Sequence, residues 1–396
     1  MQFDVWHNDM WPRYKAAVFS ELWTLAKHAG VDVRVFQIAE VTDNRSELAT
    51  VDHSLHRYPH DNLFRMPYSE IPRIALIYKL CRIAWSTRAD LTILHCYDKV
   101  GYWLQAVILL LRGRAFAVFC DSTINDKRQI WWKGLAKRVF FSVCRGGFCY
   151  GLRSAAYLRH YGMKASRIFA DCQAAWLPPE YAADQIPARR EAHRAGAERI
   201  RYLFVGRLAP EKGLDTLIRA FALVRQAAPE AKLVIVGAGP EEPNLRAQAQ
   251  ALAPGDAVEI AGARSGDALW SEYLKASCLV LPSRSEPWGL VANEALSHGC
   301  PVIASDRCGC VPELIAEGRS GMVFRCDDVD DLADKLGAAL RLFPDDARVT
   351  AACLDQVAPY TAANAARAIL GGACALVGFG IDAAAPAGGA ALAQTH

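Results

Sequence analysis

Along the second half of the chain, short runs of Val, Ile and Leu alternate with longer stretches in which apolar residues return every three or four positions. The runs fall at Arg201–Leu208, Ala231–Gly237, Ala257–Gly262, Ser277–Ser283, Pro301–Ser305 and Gly321–Phe324. They lack the polar alternation of a half-exposed strand, as strands buried on both faces do. Between them, Leu214, Leu217, Ile218, Phe221 and Val224 share one face of a helix over Leu214–Ala227. Asp267 is placed to cap a short helix holding Leu269, Trp270, Tyr273 and Leu274. The first half follows the same rhythm less sharply. Strands are expected at Phe3–Trp6, Val31–Ile38, Leu91–Cys96, Ala115–Cys120, Gly147–Tyr150 and Arg167–Asp171, and helices over Pro12–Ala29, Tyr102–Arg112 and Lys127–Val143. Residues 173–199, with Pro178, Pro179 and Pro187, read as a linker, and the Gly/Ala-rich chain from Gly371 as a partly disordered tail.

Such alternation predicts an α/β protein with two doubly wound parallel-sheet domains, over 1–185 and 186–355. A helix at 356–370 is expected to return to the first domain, followed by the tail 371–396. Ligands of such sheets bind beyond the carboxyl ends of the strands, so a site is expected in a cleft between the domains.

Composition narrows the class. The chain has 396 residues, 52% hydrophobic and 22% charged, which is too long for one ordinary domain and too apolar for a disordered chain. Its thirteen cysteines are scattered singly, Cys308-Gly-Cys310 being the closest pair, so neither a zinc framework nor a disulfide scaffold is expected. The thiols read as reduced core residues of a cytosolic protein. Residues 1–30 contain no apolar leader, and the strongest apolar run, Ala106–Leu111, is far short of the ~20 residues of a membrane span. Secreted, membrane-spanning and collagen-like proteins are excluded on this reading.

The charge is uneven. Residues 1–186 carry 24 Lys+Arg against 17 Asp+Glu, and the remainder 21 against 25. Residues 112–167 hold 12 basic residues against only Asp121 and Asp126, and eight of the ten Trp lie in the first half. A basic field of this kind suits an anionic membrane or a phosphorylated substrate, or is simply a solvated surface. No zinc-finger spacing, RRM octamer or bZIP heptad is present, so nucleic acid is not an expected partner.

Four segments of the second half carry candidate chemistry. In the first, Phe204–Gly213, a strand runs into Gly206, Arg207 and Lys212 flank the turn, and Gly213 opens a helix. Two cations at a helix N-terminus make an anion site suited to a pyrophosphate, unless Arg207 merely pairs with Glu211. The second, Val236-Gly-Ala-Gly-Pro240, has Glu242 where a dinucleotide fingerprint needs its third glycine, so a tight turn is expected and NAD is not. In the third, Ser285–Glu294, Glu286 and Glu294 stand eight apart, which is roughly 12 Å along a continuous helix. That spacing suits the two ends of an elongated ligand, or two exposed carboxylates. Gly289 frees its neighbours' amides to approach that ligand, and a helix is expected near Leu290. The fourth, His298–Asp306, is structural, with Gly299 ending a helix.

Taken together, VGRLAPEKGLDTLIRAF, VGAGPEEPNL, SEPWGLVANEALSHGCPVIAS and GCVPELIAEGRSGMVF resemble, in order and spacing over Arg201–Phe324, the retaining glycosyltransferases of family 4 (the group 1 glycosyltransferases), which have the GT-B fold. The resemblance implies a metal-independent enzyme without cofactor that uses a nucleotide-diphosphate sugar as donor. It implies that Arg207 and Lys212 hold the donor diphosphate, that Glu286 binds the transferred sugar, that Glu294 binds the ribose, and that Gly206, Trp288, Gly289 and Leu290 line the donor. Base contacts are expected near Ala263 and Arg264. In the first half, Pro12-Arg-Tyr-Lys15 looks like the acceptor-side loop of a bacterial subset, with Tyr14 and Lys15 facing acceptor; the glycine pair common there is missing. Asp121 stands where many members place a catalytic His, and either takes that role or caps a helix. His95 ends another strand and is a poorer candidate than a hydrogen-bonded core imidazole.

Breaking a sugar–diphosphate bond needs leaving-group stabilisation and orientation more than a strong nucleophile. The expected reaction moves a hexose to a glycan or lipid-linked glycan with retained configuration, in bacterial cell-surface polysaccharide synthesis. A nucleotide-sugar epimerase or glycogen-type synthase of similar fold, and an inactive nucleotide-sugar-binding protein, are the alternatives. Asp328-Val-Asp330 matches the metal-binding DxD pattern but reads as a helix cap. Over Lys127–Phe141, Trp131, Trp132, Leu135 and Val139 share one helix face while Lys127, Lys133, Lys137 and Arg138 lie toward the other. That is the pattern of an interfacial helix at the cytosolic face of an inner membrane, or of a core helix with a solvated outer face.

Overall fold

The computed structural model describes residues 1–41, 51–126, 130–343 and 347–380. Among them the chain forms two compact units. The first takes residues 1–121, 130–176 and 359–380, and the second 122–126 and 177–358.

The first unit begins β1 (Gln2–Asp9), α1 (Arg13–His28), β2 (Asp32–Ala39), β3 (His60–Asn62), α2 (Arg73–Ser86), β4 (Leu91–Leu94) and α3 (Val100–Leu111). It continues through β5 (Ala115–Cys120), α4 (Trp131–Val143), β6 (Gly147–Cys149), α5 (Leu152–His160) and β7 (Ile168–Phe169). The strands lie in the order β3-β2-β1-β4-β5-β6-β7 with every pairing parallel. The second unit runs α6 (Ile186–Ala195), β8 (Arg201–Val205), α7 (Leu214–Ala227), β9 (Lys232–Val236), α8 (Glu242–Leu252), β10 (Val258–Gly262) and α9 (Asp267–Lys275). It ends with β11 (Cys278–Leu281), α10 (Leu290–Ser297), β12 (Val302–Ser305), α11 (Val311–Leu314), β13 (Gly321–Phe324), α12 (Val329–Leu342) and α13 (Ala347–Val357). Its order is β10-β9-β8-β11-β12-β13, again all parallel. The final helix, α14 (Ala362–Val377), packs on α1 and belongs to the first unit.

Of the runs read as doubly buried strands, β8, β11 and β12 are buried throughout and β9 and β13 nearly so, whereas the edge strand β10 is partly exposed. In the first unit, apolar residues of α2, α3 and α4 cover one face of the sheet and those of α1 and α14 the other. Both sheets reverse strand order beside their first strand, at β1/β4 and at β8/β11. Crevices at such switch points bind ligands in open α/β sheets.

Three expectations need correcting, and one region was not foreseen. The span 173–199 is not simply a linker, because α6 lies within it. Its buried Arg190 donates to the carbonyls of Tyr273 at 3.1 Å and Ala276 at 2.8 Å, and Arg194 donates to that of Lys275 at 2.5 Å. These guanidinium groups satisfy the open carbonyls at the end of α9, which charged residues in a presumed linker do not advertise. The tail does not start at Gly371, since α14 continues to Val377 with Ala365, Ala366, Ile369, Leu370, Ala373 and Cys374 buried along one face. That spacing outweighs the Gly/Ala composition; the rest of the expected tail, 381–396, lies outside the described residues. Asp267 is the first residue of α9 rather than its cap, a place taken by Gly266 at φ +57°. The segment between β2 and β4 carries β3 and α2, which the apolar pattern did not reveal.

Candidate active site

At the second unit's switch point, β8 ends in Gly206 and passes through a turn of 3₁₀ helix, Pro210–Lys212, into α7. Gly213 caps α7 at φ +66°, and a Cβ there would lie 2.1 Å from the carbonyl oxygen of Pro282. The β9 turn crosses still closer: a Cβ on Gly237, at φ +152°, would lie 1.8 Å from the carbonyl oxygen of Gly206. The glycines of the Val236–Pro240 segment therefore serve backbone crossing, with the Leu208 amide donating to the carbonyl of Ala238 at 2.9 Å. Arg284 fixes the turn from the β11 side. Its guanidinium donates to the carbonyl of Pro210 at 2.7 Å, to Asp327 at 2.7 Å and to Asp215 at 2.8 Å. Sequence reasoning passed over Arg284; its only signal was a lone Arg between two serines beside the candidate Glu286.

This packing brings three of the predicted residues to one place. Lys212 Nζ meets Glu286 Oε2 at 2.5 Å, both side chains being largely buried. Arg207 pairs with Glu211, half-exposed, on the same turn. The surface pairing weighed for Arg207 is thus what the structure shows. It does not remove the cation, because an ion pair this exposed is worth at most about 1 kcal/mol and yields to a stronger anion.

Glu286 is not on a helix. It lies in the loop before α10, bridged to Cys308, with its carbonyl accepting from the Gly309 amide at 2.8 Å. Counting turns of a continuous helix from Glu286 to Glu294 therefore does not apply. α10 begins at Leu290 and is capped by Gly289 at φ +99°. Glu294, on α10, accepts from the Tyr273 hydroxyl at 2.7 Å, with burial pushing its carboxyl up to about 7. Tyr273 was not among the sequence candidates; nothing in the spacing of α9 tells an apolar-face tyrosine from one holding a carboxylate. Trp288 is buried in the core, and its indole donates to Asn293 Oδ1 at 2.8 Å. Arg264 is likewise engaged: it pairs with buried Glu272, which also accepts from Arg201 at 2.6 Å, and with Glu259 at 3.2 Å. Its guanidinium ties β10 to α9, which leaves backbone as the route to a base from that loop.

At the first unit's switch point the side chains are of another kind. α1 turns Lys15 inward, nearly fully buried, with Nζ 4.6 Å from the ring centre of Tyr150 and 5.4 Å from that of Phe119. Burial pulls its ammonium down to about 8, with Cys172, Asp121 and Asp9 pulling the other way. Tyr14 stands beside it, 5.8 Å from Nζ to ring centre. His7, at the end of β1, meets His95, just past β4, edge to face with centroids 4.5 Å apart. Burial holds both imidazoles below their usual range. His95 Nδ1 is buried without a hydrogen-bond partner, so the ring is held by packing and not, at that nitrogen, by the hydrogen bond expected of a core imidazole. Asp121 is exposed at the end of β5 and caps no helix, since α4 begins ten residues on with Ile130 as its cap.

Asp328 caps α12 by accepting from the Asp331 amide at 2.9 Å. Among the described residues no cluster of three or more His, Cys, Asp or Glu could hold a metal ion, and no helix is long and apolar enough to cross a membrane. None of the thirteen cysteines is joined in a disulfide.

Residues 185–351 match the family model of glycosyl transferases group 1. The chain is 35% identical over 177 residues to a D-inositol 3-phosphate glycosyltransferase of Stackebrandtia nassauensis, covering 42% of this chain and 40% of that protein. It is 34% identical over 179 residues to a GDP-mannose-dependent alpha-(1-6)-phosphatidylinositol monomannoside mannosyltransferase of Mycobacterium tuberculosis, covering 42% and 46%. The match thus spans less than half the length of either relative. In three dimensions the chain is similar to Anabaena HepE, solved in complex with UDP, with a TM-score of 0.69, 16% identity and coverage of 95% of this chain and all of that one. At that identity the likeness speaks for the fold, two parallel-sheet units of the GT-B type. Over residues 185–351, less than half of its length, the chain is similar to the group 1 glycosyltransferases.

Proposed function

We propose that the protein is a retaining, metal-independent glycosyltransferase that moves a hexose from a nucleotide-diphosphate sugar to a glycan or lipid-linked glycan. Its place is in bacterial cell-surface polysaccharide synthesis, in the cytoplasm and against the inner membrane. The observation that carries this reading is the meeting of Lys212 with Glu286, on the turn that also carries Arg207, at the switch point of a unit that matches the group 1 family model. Relatives named for GDP-mannose and a neighbour solved with UDP and with UDP-glucose support a nucleotide sugar as donor.

In this mechanism Arg207 and Lys212 exchange their carboxylate partners for the donor diphosphate and carry its charge as the anomeric bond breaks. Glu286, released from Lys212, accepts from hydroxyls of the transferred sugar. Glu294 accepts from the ribose; a carboxyl at about 7 already has a hydroxyl donor in Tyr273 and takes another in the same way. The amides at Gly289 and Leu290, at the N-terminus of α10, hold the distal phosphate. The acceptor hydroxyl attacks the face the diphosphate leaves, and its proton passes to the departing phosphate oxygen. On the acceptor side, Tyr14, Lys15 and Asp121 line the first unit's switch point.

The test is the double variant Arg207→Ala, Lys212→Ala, assayed by release of nucleoside diphosphate from a panel of donors. Turnover falls by about 10²-fold or more while the fold is kept; turnover near wild type overturns the leaving-group role. Turnover of nucleotide sugar without any acceptor identifies an epimerase instead, and activity abolished by EDTA removes metal independence.

A further inference from the structure

Three neighbouring helices of the first unit are apolar on their outer as well as their inner faces. On α2, Ile74 and Tyr78 are followed by Trp85, all exposed, Ile74 to 86%. On α3, Val100, Leu104, Val107 and Leu111 are exposed at i, i+4, i+7, i+11 spacing, and on α4, Trp131 (83%), Leu135 and Val139 are exposed at i, i+4, i+8 with Trp132 and Val143 beside them. These are complete outward stripes, not scattered surface residues. The helices are adjacent: α2 packs along α3, and Trp103 of α3 meets Phe140 of α4 with centroids 4.9 Å apart. Their inner faces, through Leu80 and Ala84, Tyr102 and Leu109, Phe140 and Phe141, fill one core. The outer stripe of α4 is the face whose core-packing alternative was open from sequence, and the structure turns it outward. Lys127 lies outside the described residues.

The charges on this face have one sign. Arg73, Lys79 and Arg82 on α2 and Lys133, Lys137 and Arg138 on α4 are not answered by a single Asp or Glu on any of the three helices. Arg112 follows α3 and lies over the ring of Trp85 at 5.3 Å. Lys79 and Lys137 turn inward, to the carbonyl of Leu63 at 2.6 Å and over the rings of Tyr157 and Tyr161. The outward cations are therefore Arg73, Arg82, Arg112, Lys133 and Arg138, set among exposed Trp and aliphatic groups.

We propose that α2, α3 and α4 together form a docking surface for an anionic lipid bilayer, the stripes entering the acyl boundary and the arginines and lysine meeting lipid phosphates. The surface is three helices wide, not the single helix the sequence suggested. It extends the membrane part of the reading above but stands on exposed side chains alone, and an enzyme using a soluble glycan would leave it intact. A protein partner, including a second copy of this chain, is the rival occupant. It is disfavoured because an interface of like-charged cations between identical surfaces repels itself.

The test is flotation of the full chain with vesicles of phosphatidylglycerol and phosphatidylcholine mixed, or of phosphatidylcholine alone, with light scattering in parallel. The wild type floats with the anionic vesicles and at least tenfold less with the neutral ones. Trp131→Ser with Leu135→Ser, and separately Val107→Ser with Leu111→Ser, each reduce flotation at least tenfold, and Arg82→Glu with Arg138→Glu does the same at low salt. Unchanged thermal melts and unchanged nucleotide release from donor show that fold and catalytic site persist in each variant. Failure of the wild type to float overturns the proposal, as does a dimer that the serine variants dissolve. Flotation lost only in the α4 variants overturns the three-helix surface.

Discussion

The two switch points share a topology and differ in substance. In the second unit, the turn after β8 presents one half-exposed and one largely buried cation, each held by a carboxylate within hydrogen-bond reach, on backbone so tight that glycine is obligatory. In the first unit, α1 presents a buried lysine among aromatic rings and the ends of β1 and β4 present two imidazoles in contact, all held toward their neutral forms. The first arrangement stores charge and releases it to an anion. The second keeps donors and acceptors dry and weakly charged, which suits hydroxyl groups better than phosphates. One strand order thus supports opposite electrostatic strategies, and the side chains entering the crevice decide between them.

The largest effect that could break this contrast is steric. Gly237→Ala forces a Cβ against the carbonyl of Gly206 and costs roughly 3 kcal/mol, whereas Gly30→Ala in the first unit, with nothing within 4 Å, costs about 1 kcal/mol for its left-handed backbone alone. Chemical denaturation of both variants checks this; equal costs would mean the second unit's turns are not the tight ones.

A smaller effect lies in pH. Glu294 is raised to about 7, so between about 4.5 and 7 the unfolded chain has lost a proton that the folded chain keeps, and stability falls as pH rises through that window. Lys15 is lowered to about 8, so between about 8 and 10.5 the unfolded chain holds a proton that the folded chain lacks, and stability rises with pH there. Each slope is at most about 1.4 kcal/mol per pH unit. Glu294→Gln flattens the first and Lys15→Met the second in denaturation series across pH; slopes of the same sign would collapse the distinction.

The smallest effect concerns His95. With its Nδ1 buried and unpartnered, His95→Phe removes an unsatisfied polar atom and stabilises the fold by about 1 kcal/mol. A thermal melt reads it, and a clear loss of stability would show the imidazole to be paired after all.

The same contrast explains how far the sequence could be read. The second unit's strands were legible because doubly buried strands write themselves as unbroken apolar runs, and its candidate cluster because Arg207, Lys212 and Glu286 lie on the two segments that the strand order brings together. The mate of Glu294 was not legible, because Tyr273 reaches it from another element. The first unit's cluster draws on residues as far apart as His7, Lys15, His95 and Tyr150, and no local spacing joins them. α2 escaped notice, and the apolar face of α4 stayed ambiguous, because hydrophobic periodicity reports that a helix has two faces and not which one looks inward. Trp288 and Arg264 teach the same lesson, since an indole inside a family motif and a guanidinium outside it are each tied to a neighbour that the sequence does not name.

The return of α14 to lie against α1 has a consequence for biosynthesis. Phe19, Leu22 and Ala26 share a core with Ala365, Ile369 and Ala373, so part of the first unit has no cover until nearly the whole chain exists. The second unit is almost contiguous, from 177 to 358, and has what it needs to close earlier. A ribosome making this chain therefore completes first the unit it began second, while the N-terminal sheet waits for its last helix to emerge.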